Sequence, residues 1–384
     1  MTSTSLGVII PTRNRADLAM ASIESALKWT GDARVRVLVS DNSTDASESL
    51  RLREFVAGLQ GKVELIHPDS SLGMTDHWNF AINQALASTM CSHFMFLTDR
   101  MLFKRGAMEI ITGACERWPC DVVCFTYDRV QDYGSPIVYR PLPRSFDTYR
   151  IASKDMLAMS SRMAIPSCLP RMLNSIAPRE HLEFLRDKGG SVFASIAPDY
   201  NFCYATLLAR QEIVYIDRSL LVNYAQGRSN GASFSRGKMS TDSKDFLATS
   251  TSGGINHRSP IPAVITVGNA VIHEYMVAKL GPGGQDMPVI QMDRYLDFLA
   301  GEVAAYVDPA LVADSMKVLR EAGWKPTRRY YVRRLLGWLA DRVLDLRRRT
   351  FNGRAQALEY AVSDVGRAWC WFPHPARRYG PRID

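Results

Sequence analysis

Four short segments hold residue types suited to gripping a diphosphate and moving a proton. Val8–Arg15 reads VIIPTRNR, an apolar run that ends in a hydroxyl and two guanidiniums. Arg13 and Arg15 offer planar paired donors that match phosphate oxygens, while Asn14 or Asp17 at the same place equally suits the cap of a helix. Val39–Asp45 reads VSDNSTD, where Asp41 can accept a hydrogen bond from a nucleobase imide or a ribose hydroxyl. The same residue types also build an ordinary Asx turn. Leu97–Arg100 reads LTDR. Asp99 is a hard oxygen ligand for Mg²⁺ or Mn²⁺, Arg100 supplies positive charge directly, and a capping role for Asp99 stands beside both. Ala197–Tyr200 reads APDY, with Asp199 placed either to deprotonate an acceptor hydroxyl or to complement a helix dipole.

These segments need a scaffold that brings them to one rim. Apolar runs at Gly7–Ile10, Val35–Val39, Val63–Ile66, His93–Leu97 and Val122–Tyr127 predict strands. Helical spacing over Ala16–Trp29, Trp78–Leu86 and Ala107–Arg117 fills the intervals. The alternation predicts an α/β fold with a mainly parallel sheet flanked by helices. In such sheets ligands bind beyond the carboxyl ends of the strands, which selects Pro11–Arg15, Ser40–Asp45 and Thr98–Arg100. Beyond Gln131 the pattern turns irregular, until a helix over Tyr200–Arg210 and two short strands, Ile213–Ile216 and Leu220–Tyr224. Gly227–Gly254 is rich in Gly, Ser and Thr and reads as a mobile loop. Helical patterning dominates from Ala263 to Arg349.

In this order and spacing the four segments resemble the family 2 glycosyltransferases of the GT-A fold. VIIPTRNR is similar to that family's opening strand, VSDNSTD to its second nucleotide-binding turn, LTDR to its Asp-X-Asp position and APDY to the segment of its catalytic base. Ser71–Ala85 (SLGMTDHWNFAINQA) resembles the family's helix before the metal motif. The resemblance covers about Leu6–Gly231. It implies a GT-A-like, Rossmann-like sheet and transfer from a nucleotide diphosphate-sugar, of UDP or dTDP type, to a glycan or lipid-linked glycan hydroxyl in cell-surface polysaccharide synthesis. Pro11, Thr12, Arg13 and Arg15 would then line the donor pocket, with Asp41 reading the base, alone or with Ser40. Asp99 would hold the metal, and Asp199 would be the base of an inverting displacement. Two departures qualify this pattern. Thr98-Asp99-Arg100 is poorer in acid than the family's motif, which puts metal dependence in question, and Asn42 alters the second turn. Arg228, Asn230 and Arg236 lie where such enzymes often place a closing loop.

The implied organisation is a glycosyltransferase domain over 1–235, a flexible linker over 236–262 and a helical accessory region over 263–384. Two other functions are carried alongside: a catalytically inactive nucleotide-sugar-binding or scaffold protein, and a sugar-1-phosphate nucleotidyltransferase. The latter needs a Gly-rich phosphate loop that Pro11–Arg15 lacks.

At 384 residues with 46% hydrophobic content, the chain can bury a large core. No apolar run reaches bilayer-crossing length and no signal peptide opens the sequence, so the expected location is the cytoplasm, at the inner face of the cell membrane if anywhere on it. Seven scattered cysteines read as reduced thiols rather than a disulfide or zinc framework. The net charge of +8 is almost wholly local, because residues 325–349 hold nine basic and two acidic side chains. Val332, Leu335, Leu336, Leu339, Val343 and Leu346 share one helical face there. Trp369, Trp371, Phe372 and Pro373 precede Arg377 and Arg378. Peripheral contact with an anionic membrane through 325–349 and 369–378 is one reading; packing of the stripe on the catalytic core, with arginines in solvent, is the other. Nucleic acid is not an expected partner, since no recognised module interleaves aromatics with these charges.

Overall fold

The computed structural model describes residues 4–29, 34–238, 240–251, 257–366 and 380–383. The chain opens with β1 (Leu6–Thr12), α1 (Ala16–Trp29), β2 (Val35–Asp41), α2 (Ala46–Ala57), β3 (Val63–Ile66), α3 (Met74–Ser88), β4 (His93–Phe96), β5 (Met101–Phe103) and α4 (Ala107–Arg117). All seven residues of β1 are buried between β2 and β4, both parallel to it, so the strand is continuously apolar rather than alternating. Asp45 starts α2 by accepting the N–H groups of Ser47 and Glu48.

The irregular middle resolves into β6 (Val123–Gln131), β7 (Ile137–Tyr139), β8 (Thr148–Ala152), α5 (Ser153–Ser161), β9 (Ser175–Pro178), α6 (Arg179–Gly189), α7 (Pro198–Ala209) and β10 (Glu212–Asn223). The main strand path runs β7-β6-β9-β4-β1-β2-β3, and β10 pairs with β5, β6 and β8. It is parallel through β4-β1-β2-β3 and antiparallel where β9 meets β4 and β6. The two closing strands expected at Ile213–Ile216 and Leu220–Tyr224 are one strand, β10, whose register shifts between Tyr215 and Leu221.

The segment read as a mobile loop holds α8 (Asn230–Arg236) and α9 (Thr241–Thr251). Ser229 caps α8 and Gly237 ends it at φ 59°. Then come α10 (Val267–Leu280), α11 (Met292–Val303), α12 (Pro309–Glu321) and α13 (Arg328–Asp345). Tyr275, Tyr295 and Leu299 of this helical part share one apolar core with Tyr149, Tyr204 and Tyr215 of the sheet and α7. The chain returns to the sheet through β11 (Arg349–Phe351), antiparallel to β7, and α14 (Arg354–Ser363). That return lay hidden in the sequence because β11 has only three residues.

The cysteines Cys91, Cys115, Cys124, Cys168 and Cys203 are free and buried, and Cys120 is free and exposed. Residues 369–378, with Trp369, Trp371, Arg377 and Arg378, lie outside the described residues.

Candidate functional site

Strand β1 has β2 on one side and β4 on the other, so the sheet order reverses there and a crevice opens at the carboxyl ends. Three of the four segments singled out from the sequence, those of Thr12, Asp41 and Asp99, meet at this crevice. Thr12 and Asp41 are register partners, and the Asn42 N–H extends the pairing to the Thr12 carbonyl at 3.0 Å. The Thr12 hydroxyl donates to Asp99 Oδ2 at 3.1 Å, and Arg15 Nη1 lies 3.4 Å from Asp99 Oδ1. Arg13 donates to the Ser71 hydroxyl at 2.8 Å and the Leu72 carbonyl at 3.1 Å, and its Nε pairs with Asp245 of α9 at 3.1 Å. Arg15 Nη2 reaches the Arg228 carbonyl at 3.0 Å, while Arg228 donates back to the Asn14 carbonyl at 2.8 Å. The 226–228 turn and α9 are thereby fastened across the mouth of the crevice. Arg100 follows Asp99 directly, its carbonyl accepting the Tyr224 N–H.

Several expected roles sit differently. Pro11 is buried within β1 rather than at its lip. Asp41 is buried, and its oxygens accept from the Ser43 N–H at 3.0 Å and the Ser49 hydroxyl at 2.7 Å, so this carboxylate closes the turn. Ser40 faces the interior, 2.8 Å from His77 Nε2, and burial pushes that imidazole down to about 4, which keeps it neutral. Asn42 clamps the Leu72 backbone through both amide atoms, fixing the lead-in to α3. Arg236 stacks on Tyr133, 4.3 Å from its ring centre, and Asn230 accepts from Ser243.

The Asp99 carboxylate is engaged by its neighbours. Its two oxygens already face a hydroxyl and a guanidinium, and a second guanidinium follows in sequence. Among the described residues no three His, Cys, Asp or Glu side chains gather, and Mg²⁺ can be held by a single carboxylate together with donor phosphates and waters. Asp99 as a metal ligand therefore stays a proposal, beside positive charge supplied by Arg15 and Arg100.

Asp199 occupies the first turn of α7, directly after Pro198. No side chain of its own segment caps this helix. Instead Glu274, from α10, accepts the Ala197 N–H at 2.7 Å and the Asn201 amide at 3.2 Å. Glu274 is fully buried, and burial pushes its carboxyl up to about 8 against those hydrogen bonds. Burial also raises Asp199, with the Arg171 guanidinium opposing the shift. Arg171 lies over the rings of Tyr127 and Tyr200, at 5.4 and 5.3 Å. Burial alone would raise the Tyr127 phenol, but Arg171 and Arg129 outweigh it and bring it down to about 7. A carboxylate held near a cation in a dry recess is suited to proton abstraction.

Among the described contacts none joins Asp199 directly to Asp99 or Asp41. The two rims meet instead at the start of α3, where Leu72 is held by Asn42 and Arg13 and the Thr75 hydroxyl donates to the Ser195 carbonyl. Arg171, Tyr127 and Glu274 went unnoticed in the sequence. They stand in no motif, and only the fold brings them to α7.

Residues 7–174 match the family model described as Glycosyl transferase family 2. The matched part contains Arg13, Arg15, Asp41 and Asp99 and ends before Asp199. No curated protein matches the chain. Among solved structures, S. aureus TarS 1–349 in complex with UDP-GlcNAc is similar at 14% identity, covering 83% of this chain and 71% of that one, with a TM-score of 0.46. The same fragment in complex with UDP gives 12% identity, 84% and 93% coverage and 0.46. S. aureus TarS gives 14%, 80% and 50%, and 0.45.

Proposed function

We propose that this chain, a family 2 glycosyltransferase domain over residues 7–174, moves a sugar from a nucleotide diphosphate donor to a hydroxyl of a glycan or lipid-linked glycan. The observation that carries this reading is the meeting of Thr12, Arg13, Arg15 and Asp99 at the sheet's switch point, linked through the start of α3 to the helix that bears the partly buried Asp199. The diphosphate lies against Arg13, Arg15 and Arg100, with Asp41 and Asn42 shaping the turn that receives the nucleoside. UDP and dTDP are the donors of first choice. Asp199 takes the proton of the acceptor hydroxyl as its oxygen bonds to the anomeric carbon. The bond to the diphosphate breaks on the opposite face, which inverts the centre. The guanidiniums neutralise the charge that gathers on the departing phosphate. Helices α10–α13 serve the acceptor side, in cell-surface polysaccharide synthesis. An acceptor carried on a lipid, reached from the cytoplasmic side by peripheral contact of 325–349, belongs to the same reading. Among the described residues no helix is long and apolar enough to cross a membrane.

A second reading, a nucleotide-sugar-binding protein without turnover, is favoured by the internal pairing of Asp99 with Arg15. Thermal unfolding with UDP, dTDP, GDP and their sugars, followed by assays of Asp199→Asn, separates the two. Transfer predicts a raised melting temperature with one nucleotide class in both proteins. It further predicts donor turnover that Asp199→Asn reduces at least about 1,000-fold, in the range general-base loss commands. Nucleotide binding with no turnover in either protein supports the second reading, and no stabilisation by any nucleotide overturns both.

A further inference from the structure

Helix α13 is amphipathic the wrong way round for a core helix. Its polar residues make the inward contacts: Arg333 donates to the Met163 carbonyl at 3.4 Å and lies 5.0 Å from the Phe298 ring centre. Asp341 and Asp345 both pair with Arg140 of the loop after β7. Tyr330 is the helix's one buried residue. Tyr331, Val332, Leu335, Leu336, Trp338 and Leu339 are instead 45–60% exposed. At about 100° per residue these six cover an arc of roughly 160°. The core-packing reading of this stripe is thus corrected, because these six side chains stand exposed while Tyr330, Arg333, Asp341 and Asp345 make the helix's contacts with the body.

We infer that this outward face docks on an anionic phospholipid surface. Charge complementarity selects that occupant over an apolar protein partner. Arg328 and Arg342 fall within the apolar arc by helical position, Lys325 precedes it, and Arg347, Arg348 and Arg349 follow it, all exposed. An apolar face set among cations, with Trp338 under the Arg342 guanidinium at 5.2 Å, suits the boundary between headgroups and acyl chains.

The same helix borders a cavity that touches α7, the helix bearing Asp199. Arg333, on the inward side of α13, lines this cavity of about 300 Å³ with Met163, Ile165, Val271, Phe298 and Tyr200, the residue after Asp199. A bilayer on the outward face therefore lies about one helix diameter, roughly 10 Å, from a cavity beside the proposed base. On the transfer reading, this makes the acceptor an amphiphile presented from the membrane.

Co-sedimentation of the full chain with vesicles of phosphatidylcholine, with and without 30 mol% phosphatidylglycerol, tests the surface without reference to activity. The expected result is binding to the anionic vesicles, at least tenfold weaker to neutral ones and weakened by salt. Leu335→Ser with Leu336→Ser and Leu339→Ser, all at exposed positions, should lose at least tenfold; Arg342→Gln with Arg347→Gln and Arg348→Gln should lose at least threefold. Equal binding to both vesicle types, or binding that neither variant alters, overturns the proposal. So does a protein dimer in solution that the serine variant dissolves. Nucleotide-induced stabilisation of the serine variant is the control: if vesicles bind and no nucleotide does, the lipid surface stands and the transfer reading fails.

Discussion

Arg15 Nη1 sits 3.4 Å from Asp99 Oδ1, so the carboxylate expected to hold a metal already faces a guanidinium. On the transfer reading, arginine rather than a metal neutralises the donor's charge. Donor turnover should retain most of its rate in EDTA, and Arg15→Ala should lower kcat/KM about 100-fold, the scale of one lost electrostatic stabiliser. Loss of turnover in EDTA with recovery in Mn²⁺ would show that Arg15 yields its place to a cation.

Asp245 competes with a donor for Arg13. The pair is 3.1 Å apart and the carboxylate is half exposed, so its worth is that of a surface ion pair, at most about 1 kcal/mol. Asp245→Asn should therefore tighten UDP binding by about two- to fivefold in calorimetry at low salt, with the gain shrinking at 0.5 M salt. Weaker binding would instead make Asp245 part of the donor pocket.

The pH profile reports on Asp199. A base works when deprotonated, so the acid limb of kcat/KM follows its pKa in the free enzyme. Burial raises that pKa and Arg171 lowers it. Arg171→Met should move the acid limb to higher pH by about one unit or more, and Arg171→Lys should restore most of the shift. An acid limb indifferent to position 171 would remove Asp199 from the role.

Glu274 links pH to stability. Its carboxyl rises from an ordinary 4.5 to about 8 on folding, so the folded state holds a proton that the unfolded state has released. The corresponding stability is complete below about 4.5 and is lost as pH rises through 8. Melting temperature should fall between pH 5 and 9, and Glu274→Gln should flatten the fall by an amount on the order of a few kcal/mol. Glu302, pushed up to about 7 by burial, adds a smaller loss in the same window that this variant leaves in place.

What the sequence disclosed was what short-range chemistry dictates. Buried parallel strands must be apolar throughout, so β1 and β4 were legible, and α1 and α4 were found to the residue from their spacing. Pairing across the fold was not. Asp41 offered both a nucleotide-binding turn and an Asx turn, and the Ser43 N–H bond is the second, while its bond from Ser49 in α2 was visible only in three dimensions. The Glu274 cap on α7 spans 77 residues of chain. For α13, a periodic stripe told that one face is apolar, but not that its polar face would be the one turned inward.

Strand β10 leaves the helix that bears Asp199 and, 12 residues later, delivers the chain to the turn where Arg228 fastens on Asn14. With β5, β6 and β8 bonded along its length, it is a covalent ruler, on the transfer reading, between the acceptor's side of the reaction and the leaving group's. One residue inserted within β10 would offset the two ends by about 3.3 Å and invert the facing of every side chain beyond it, silencing turnover even if the protein folds.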